Sequence, residues 1–466
     1  MSELRTIARH AGTVLVGQLA VMSFGIADTL IAGRYSPQAL AVLSLASSIY
    51  ISIYVALNGL LQALLPVWAE LHGAGRQAEV GRSVRQALYI AAGAAVIGIS
   101  GLWFPDLWLS ATEVPEALWP DVRAYLRILA LALVPSLLFR MYSTLNQSLG
   151  HPRLVTWLQA GALLVKVPLS FALTFGTAGL SGMGVVGCAW ATLTVNTLML
   201  LAGLWLLRTQ DIYQPYRLWR RPERPDWPVI RRFLALGVPA GLSIMVEVTS
   251  FTLMALFIAR LGAVALASHQ IAASLAAVLY MVPLALGIAS SARTGYWLGA
   301  GQAHKARRAA GTGIGLAIGA ALLGASLLFM GRETLANAFS NDPSVVQAAT
   351  VWLSWVALYH LADAVQAVCA YLLRCYRITV MPLLVYTALL WGVGLYGGYR
   401  WAYQGIDWAG WPLRASVDTF WITSTAALAL VSALFAAMVW RASGMRLAAT
   451  RCVMVEGQFT SSRLKP

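Results

Sequence analysis

The chain has 466 residues, of which 59% are hydrophobic and only 11% are charged. Soluble domains carry charge on about a quarter of their residues, so this composition excludes a soluble multidomain enzyme and indicates a membrane protein. The formal net charge is +15, a balance that is compatible with nucleic-acid binding unless the positions of the basic residues explain it otherwise. The four cysteines have no metal-binding or redox spacing, and we expect no cofactor.

Twelve stretches are long and apolar enough to cross a membrane, which takes ~20 residues. Their apolar residues are continuous rather than alternating, which predicts helices and not barrel strands. The first stretch is too long for a signal-peptide core, so we interpret it as an uncleaved span. The stretches lie near 7–34, 44–69, 86–108, 121–147, 154–176, 184–207, 229–260, 266–291, 309–330, 345–373, 378–402 and 416–440.

Lys and Arg residues concentrate in every second connection between these stretches. If the N-terminus is cytoplasmic, the basic segments 76–85, 208–232, 293–308 and 374–377 all lie in the cytoplasm, as the positive-inside rule requires. This pattern predicts a multi-pass protein of the cell (inner) membrane with both termini cytoplasmic. It also accounts for the net charge without a nucleic-acid partner.

The Pro-rich basic segment near 208–232 separates six stretches from six. We predict an N-terminal lobe at 1–208, a cytoplasmic linker at 209–228, a C-terminal lobe at 229–442 and a cytoplasmic tail at 443–466. We interpret the linker as a segment on the membrane surface, and a regulatory lipid site is the alternative.

The two halves resemble each other. The segment RYSPQALAVLSLASS at 34–48 aligns without a gap with RLGAVALASHQIAAS at 260–274, and the same shift aligns GAGRQAEVGR at 73–82 with GAGQAHKARR at 299–308. Because six is even, both halves enter the membrane from the same side, which predicts two pseudo-symmetric six-helix lobes around a central cavity. Prolines within the spans either bend helices around that cavity or are ordinary membrane-helix prolines.

Three carboxylates fall inside predicted spans: Asp28, Glu247 and Asp363. A carboxylate at the centre of a membrane helix costs roughly 2.5–3.5 kcal/mol, so such residues usually face a cavity or a partner. Glu247 is either a protonatable switch that exchanges a proton against a cationic substrate or a permanently protonated residue bonded between helices. His360 and Gln366 lie three residues on either side of Asp363, on one helix face; His360 either relays protons or is satisfied by a neighbour.

Lys166 is a second unusual charge, because it lies well inside the fifth span. It belongs to the same half as Asp28, so an ion pair between the two is the natural hypothesis. The alternatives are that Lys166 extends to the membrane interface and that Asp28 simply reaches water there. We expect Ser170 and Thr192 to support this site.

Several stretches, in the right order, resemble the multidrug and toxic compound extrusion (MATE) transporters of the NorM-type branch. They are ADTLIAGRYSPQALAVLSLASS, VPAGLSIMVEVTSFTLMALFIARLGAVALASHQIAAS, SARTGYWLGAGQ and LADAVQAVCAYLLRCYR. The resemblance implies two six-helix lobes and export of organic cations in exchange for H⁺ or Na⁺. It also implies that Asp28, Glu247 and Asp363 bind the coupling ion, including Na⁺ at the last two, and influence the binding of the substrate cation.

The chain departs from the family in its fifth span. Relatives commonly have Asn-Ile-Pro-x-Asn, whereas this chain has Lys166-Val167-Pro168-Leu169-Ser170. In the family these amides lie close to the aspartate of the first span. An ammonium there can take the place of a bound cation and neutralise Asp28, which moves the expected coupling site to Glu247 and Asp363.

We therefore predict a cation-coupled exporter of small organic cations that acts as a monomer in the lipid bilayer. A flippase of lipid-linked precursors is the alternative, and it requires a basic cavity. A membrane-embedded enzyme is the alternative from another class, but the sequence has no large loop and no cluster of histidines, and such an enzyme normally needs one.

Overall fold

The computed structural model describes residues 2–106, 109, 116–177, 179–408, 411–413 and 418–462, and the side chains of these residues other than 180, 406–408, 411–413 and 448–462. The described residues form two compact units. The N-terminal unit is Gly12–Leu242, and the C-terminal unit comprises the residues from Ser243 onward together with those before Gly12. The boundary between the two halves of the chain falls inside a helix, between Leu242 and Ser243, whereas the sequence placed this boundary in segment 209–228.

The helices of the first half are α1 Glu3–Tyr35, α2 Pro37–Gln62, α3 Leu65–Gly73, α4 Gln77–Trp103, α5 Trp119–Ser148, α6 Pro152–Phe175 and α7 Val186–Thr209. A short antiparallel pair, β1 Gly176–Thr177 and β2 Leu180–Ser181, follows α6. Two 3₁₀ segments, Glu116–Leu118 and Asp211–Tyr216, precede α5 and follow α7.

The helices of the second half are α8 Trp227–Ala259, α9 Ala263–Gly299, α10 Ala303–Phe339, α11 Pro343–Cys375, α12 Val380–Tyr386, α13 Gly397–Gln404 and α14 Thr419–Ser462. A π-helical segment, Thr387–Tyr396, joins α12 to α13, and β3 Ile406–Trp408 pairs with β4 Trp411–Leu413. The end of the predicted tail, 463–466, lies outside the described residues.

The prediction of twelve helical spans is confirmed. Twelve helical stretches of the described chain are long and apolar enough to cross a membrane. The two most buried are the fourth of each half, α5 at 67% and α11 at 72% of the apolar window. The chain thus places its most buried helix at the same position in each half.

Proline and small residues shape the ends and contacts of these helices. Pro37, Pro152 and Pro343 stand in the first turn of their helices, where the missing N–H costs nothing. On α8, Gly237 and Gly241 form a G-x-x-x-G pair against the backbone of α2. A Cβ at Gly237 would lie 2.8 Å from the carbonyl oxygen of Leu60, and one at Gly241 would overlap that of Ala56. The missing side chains therefore permit the two backbones to approach.

The segment 209–226 is folded against α4 within the N-terminal unit. Arg85 donates to both carboxylate oxygens of Glu223 and to the carbonyl oxygen of Arg217, and Arg82 bonds to Asp226 at 3.0 Å. The hydrogen bonds from Arg85 hold the pKa of the Glu223 carboxyl down, at about 2. The segment is thus fixed on α4 by charged and main-chain contacts.

The C-terminal unit begins with the start of α1. Glu3 accepts hydrogen bonds from Arg293 of α9 at 2.7 and 3.1 Å and from Trp297 at 3.1 Å. Both partners belong to the C-terminal half, so these contacts explain why the residues before Gly12 group with it.

Candidate functional site

Two of the predicted carboxylates meet in the C-terminal unit. Glu247 lies in the second half of α8 and Asp363 in the middle of α11. The side-chain amide of Gln366 donates to Glu247 Oε1 at 3.1 Å and to Asp363 Oδ1 at 3.0 Å. A single amide nitrogen therefore connects the acids of two helices.

The amide itself is held in place by a third helix. Tyr386, at the end of α12, donates its hydroxyl to Gln366 Oε1. Gln366 is fully buried and Asp363 is 4% exposed, whereas Glu247 is half-buried. In this arrangement the carbonyl end of the amide accepts from Tyr386 and the N–H₂ end faces the two acids.

A small cavity opens beside Glu247. Its volume is about 10 Å³, and it is lined by Glu247, Ser250, Phe251, Met254, Tyr359, Leu390, Trp421 and Ser424. This is close to the least volume that holds one water molecule. The rings of Phe251, Tyr359 and Trp421 meet edge to face with centroids 5.8 to 6.3 Å apart. Three of the eight residues that line the cavity are therefore aromatic, and an aromatic ring face can attract a cation.

His360 faces α10 and not Asp363, although the sequence places both residues on one face of the helix. It is buried at 3% exposure, and its Nε2 atom lies 3.4 Å from the position that a Cβ on Gly324 of α10 would occupy. Among the described residues Asp363 bonds to Gln366 and not to His360. Residues three apart on a helix are offset around its axis, and this offset directs His360 at α10 and Asp363 at α8.

The structure also brings Asp28 and Lys166 together, in the N-terminal unit. Lys166 Nζ of α6 lies 2.9 Å from Asp28 Oδ1 of α1, and the two side chains are 1% and 10% exposed. Ser170 donates to the same carboxylate oxygen at 3.0 Å. Lys166 does not extend to the membrane interface, and Asp28 is not an exposed interfacial residue.

Lys166 has a complete set of partners. Besides Asp28, its ammonium donates to the carbonyl oxygen of Cys188 at 3.0 Å and to Thr192 Oγ1 at 2.8 Å, both on α7. An ammonium has three donors and no acceptor, so all three are used. The positive charge beside Asp28 is therefore supplied by the protein itself.

Sequence reasoning missed several members of these clusters. Nothing in the sequence marked Tyr386, the last residue of α12 before the π-helical segment, or Cys188, which contributes a main-chain oxygen. Phe251, Tyr359 and Trp421 were indistinguishable from the other aromatic residues. One signal was available for Tyr359, because it lies four residues before Asp363 and therefore on the same side of α11.

The fold and the buried charges define a class of protein. Twelve apolar helices in two similar halves, with ionisable groups held inside each half, are typical of secondary transporters.

The comparisons with known proteins identify the family. The family model described as MatE matches residues 14–172 and 239–399. The chain is 40% identical over 429 residues to a probable multidrug resistance protein NorM of Aromatoleum aromaticum, covering 91% of each. It is 35% identical over 401 residues to the multidrug resistance protein PmpM of Pseudomonas aeruginosa, covering 85% of this chain and 84% of the relative.

Solved structures share the fold. The eukaryotic MATE transporter AtDTX14 matches with a TM-score of 0.84 at 17% identity, over 96% of this chain and 99% of that one. The bent form of the Vibrio cholerae MATE transporter VcmN matches with a TM-score of 0.80 at 16% identity, over 97% and 98%. The chain belongs to the MATE family, in its NorM-type branch. It is a multi-pass membrane transporter and not an enzyme.

Proposed function

We propose that this chain exports small organic cations by secondary active antiport, driven by protons that bind at Glu247 and Asp363. It acts as a monomer in the inner membrane, with both termini cytoplasmic, and needs no cofactor besides the coupling ion. The relatives PmpM and NorM are named multidrug resistance proteins, which supports a broad range of substrates.

The observation that carries the proposal is the shared amide of Gln366. Both acid oxygens lie within 3.1 Å of one nitrogen, so they are no more than about 6 Å apart. Two negative charges at that distance repel by ~3 kcal/mol at an effective dielectric constant of 20. One proton or one cation removes this repulsion, and binding is thereby favoured roughly 100-fold.

The surrounding atoms favour a proton over Na⁺. Hard cations prefer a shell of about six oxygen ligands, but the cavity beside Glu247 is lined mainly by aromatic and aliphatic groups. Apart from Glu247, the residues that line the cavity offer a metal ion only the hydroxyl oxygens of Ser250, Ser424 and Tyr359, fewer than such a shell needs.

Asp28 has a different role in this proposal. Its carboxylate is neutralised by Lys166 inside the protein, so it has no need of an external cation. The pair holds α1 against α6 and α7, and coupling rests on the C-terminal unit. A flippase of lipid-linked precursors would need free basic groups for a pyrophosphate, and the Lys166 donors are already used.

The test is transport in liposomes that contain the purified protein. Export of a fluorescent organic cation is followed under an imposed pH gradient and, separately, an imposed Na⁺ gradient. We expect drive by the pH gradient alone, and loss of that drive in Glu247→Gln and in Asp363→Asn. Glu333→Gln is the matched control, because Glu333 is an exposed glutamate of the same unit.

Each other outcome changes the proposal in a defined way. If the Na⁺ gradient drives export, the coupling ion that binds at Glu247 and Asp363 is Na⁺ and not a proton. Full gradient-driven export by Glu247→Gln would refute the coupling role. No export under either gradient would favour the flippase.

A further inference from the structure

A groove runs between the C-terminal half of α10 and the N-terminal half of α11. It lies away from the basic residues at 300–308, where α10 begins. It has a volume of about 750 Å³, and its walls are mostly apolar. Large side chains along it are exposed, including Phe329 at 48%, Met330 at 82% and Leu358 at 53%. It belongs to the C-terminal unit and is separate from the cavity beside Glu247.

The groove has the length of one lipid leaflet. On α10 it extends from Leu322 to Arg332 and on α11 from Thr350 to Leu361. At 1.5 Å per residue these stretches are about 15 Å and 17 Å long. The hydrocarbon core of a bilayer is about 30 Å thick, so one leaflet contributes about half of that. An acyl chain of a single leaflet therefore matches the groove in length.

One end of the groove carries a positive charge. Arg332 lies within the last turns of α10, and its guanidinium stacks 4.0 Å from the centre of the Phe329 ring. It donates one hydrogen bond, to the carbonyl oxygen of Phe329 at 2.5 Å, and forms no salt bridge with any residue that the structure describes. A guanidinium has five donors in a fork that matches phosphate, so most of them remain for a ligand.

We infer that the groove between α10 and α11 binds an anionic glycerophospholipid, with an acyl chain along the groove and its phosphate on Arg332. The inference stands whether or not the proposed transport mechanism is correct. The groove follows the contact between α10 and α11, and beside it Gly324 lies close to His360, one turn from Asp363.

The first experiment measures lipid binding to the purified, delipidated full chain by native mass spectrometry. The probes are dioleoyl phosphatidylglycerol and dioleoyl phosphatidylcholine, which have the same acyl chains and differ in headgroup charge. An arginine near an anionic lipid surface contributes ~1 kcal/mol, which corresponds to about fivefold in affinity. We therefore expect Arg332→Ala to weaken phosphatidylglycerol binding about fivefold and to remove its preference over phosphatidylcholine. Arg260→Ala, at an exposed arginine beyond the end of α8, should leave both unchanged.

The second experiment fills the groove. Ser354→Trp and, independently, Ser326→Phe place a ring where the acyl chain would lie, and we expect either variant to lose the tightly bound lipid of both kinds. Leu327→Trp adds a ring to an exposed site of α10 outside the groove and should retain the lipid. Size-exclusion profiles and melting temperatures identify a variant that has not folded.

Two results with the variants would overturn the inference. One is that both groove-filling variants, when folded, bind as much lipid as Leu327→Trp. The other is that Arg332→Ala and Arg260→Ala behave alike. If tetraphenylphosphonium, an organic cation, competes with the lipid for the groove in folded protein, the site takes cations and the assignment of a phosphate to Arg332 is wrong.

Discussion

Replacement of Lys166 by methionine tests whether the buried ammonium is there for Asp28. Methionine keeps the length and apolar stem of lysine, so the change removes charge with little loss of volume. The Cys188 carbonyl still accepts from Thr192 after the change. Asp28 keeps the hydrogen bond from Ser170 but loses its counter-ion, and the free-energy cost is therefore concentrated on one carboxylate.

The expected loss of stability follows from the carboxylate that is left without a counter-ion. Removal of one partner of a buried ion pair costs about 3–5 kcal/mol, and for a unit of 150–250 residues each kcal/mol lowers the melting temperature by about 2–4 °C. We expect Lys166→Met to lower the melting temperature of the protein in detergent by roughly 6–20 °C. Asp28→Asn also destabilises, because it leaves the ammonium without its counter-ion.

The double variant decides the question. With both charges gone, neither is buried unpaired, so Asp28→Asn with Lys166→Met should be more stable than Lys166→Met alone. Thermal unfolding monitored by intrinsic fluorescence gives all four values of the cycle. A coupling free energy of about 2–3 kcal/mol supports the pair, and additivity within ~0.5 kcal/mol would refute it.

Three further predictions concern other contacts. Gln366→Met should shift the pH dependence of export while the protein stays folded, because the two acids lose their common amide; an unchanged profile would contradict this. Glu223→Gln should destabilise by up to ~1 kcal/mol at neutral pH, since the pair is partly exposed. The folded pKa of about 2 lies below that of the unfolded chain, so this contribution is present above pH ~4.5 and disappears as the pH falls toward 2; denaturant unfolding measured across this range checks it. Gly81→Ala should destabilise strongly, because a Cβ would overlap the Tyr216 carbonyl oxygen, whereas Gly93→Ala on the same helix has open space and should be neutral or stabilising in melting assays.

The spans could be predicted from the sequence because hydrocarbon imposes one length and one kind of residue. Glu247 and Asp363 could be found for the same reason, since charge is rare there. Gln366 was noticed only as a polar neighbour of Asp363. Its bond to Glu247 depends on how α8 packs on α11, and no local pattern encodes that distance.

Other features could not be predicted from the sequence, because they depend on contacts between residues that are far apart in the chain. The hydrogen bonds of segment 209–226 to α4 link residues more than 130 positions apart, so a basic, Pro-rich composition indicated only a surface linker. The direction of His360 follows from the space that Gly324 leaves on α10. The partners of Lys166 include a main-chain oxygen, which every residue has and no sequence distinguishes.

The glycine pair on α8 determines what kind of contact α8 makes with α2. Most helix pairs interlock, because the side chains of one lie between those of the other and must separate before either helix can move. Gly237 and Gly241 present a smooth backbone surface to Leu60 and Ala56 instead. Where they touch, the two helices meet at a separation that no larger residue on α8 allows. A bulkier residue at either glycine would push the backbones apart and weaken the contact, rather than add an interlocking side chain.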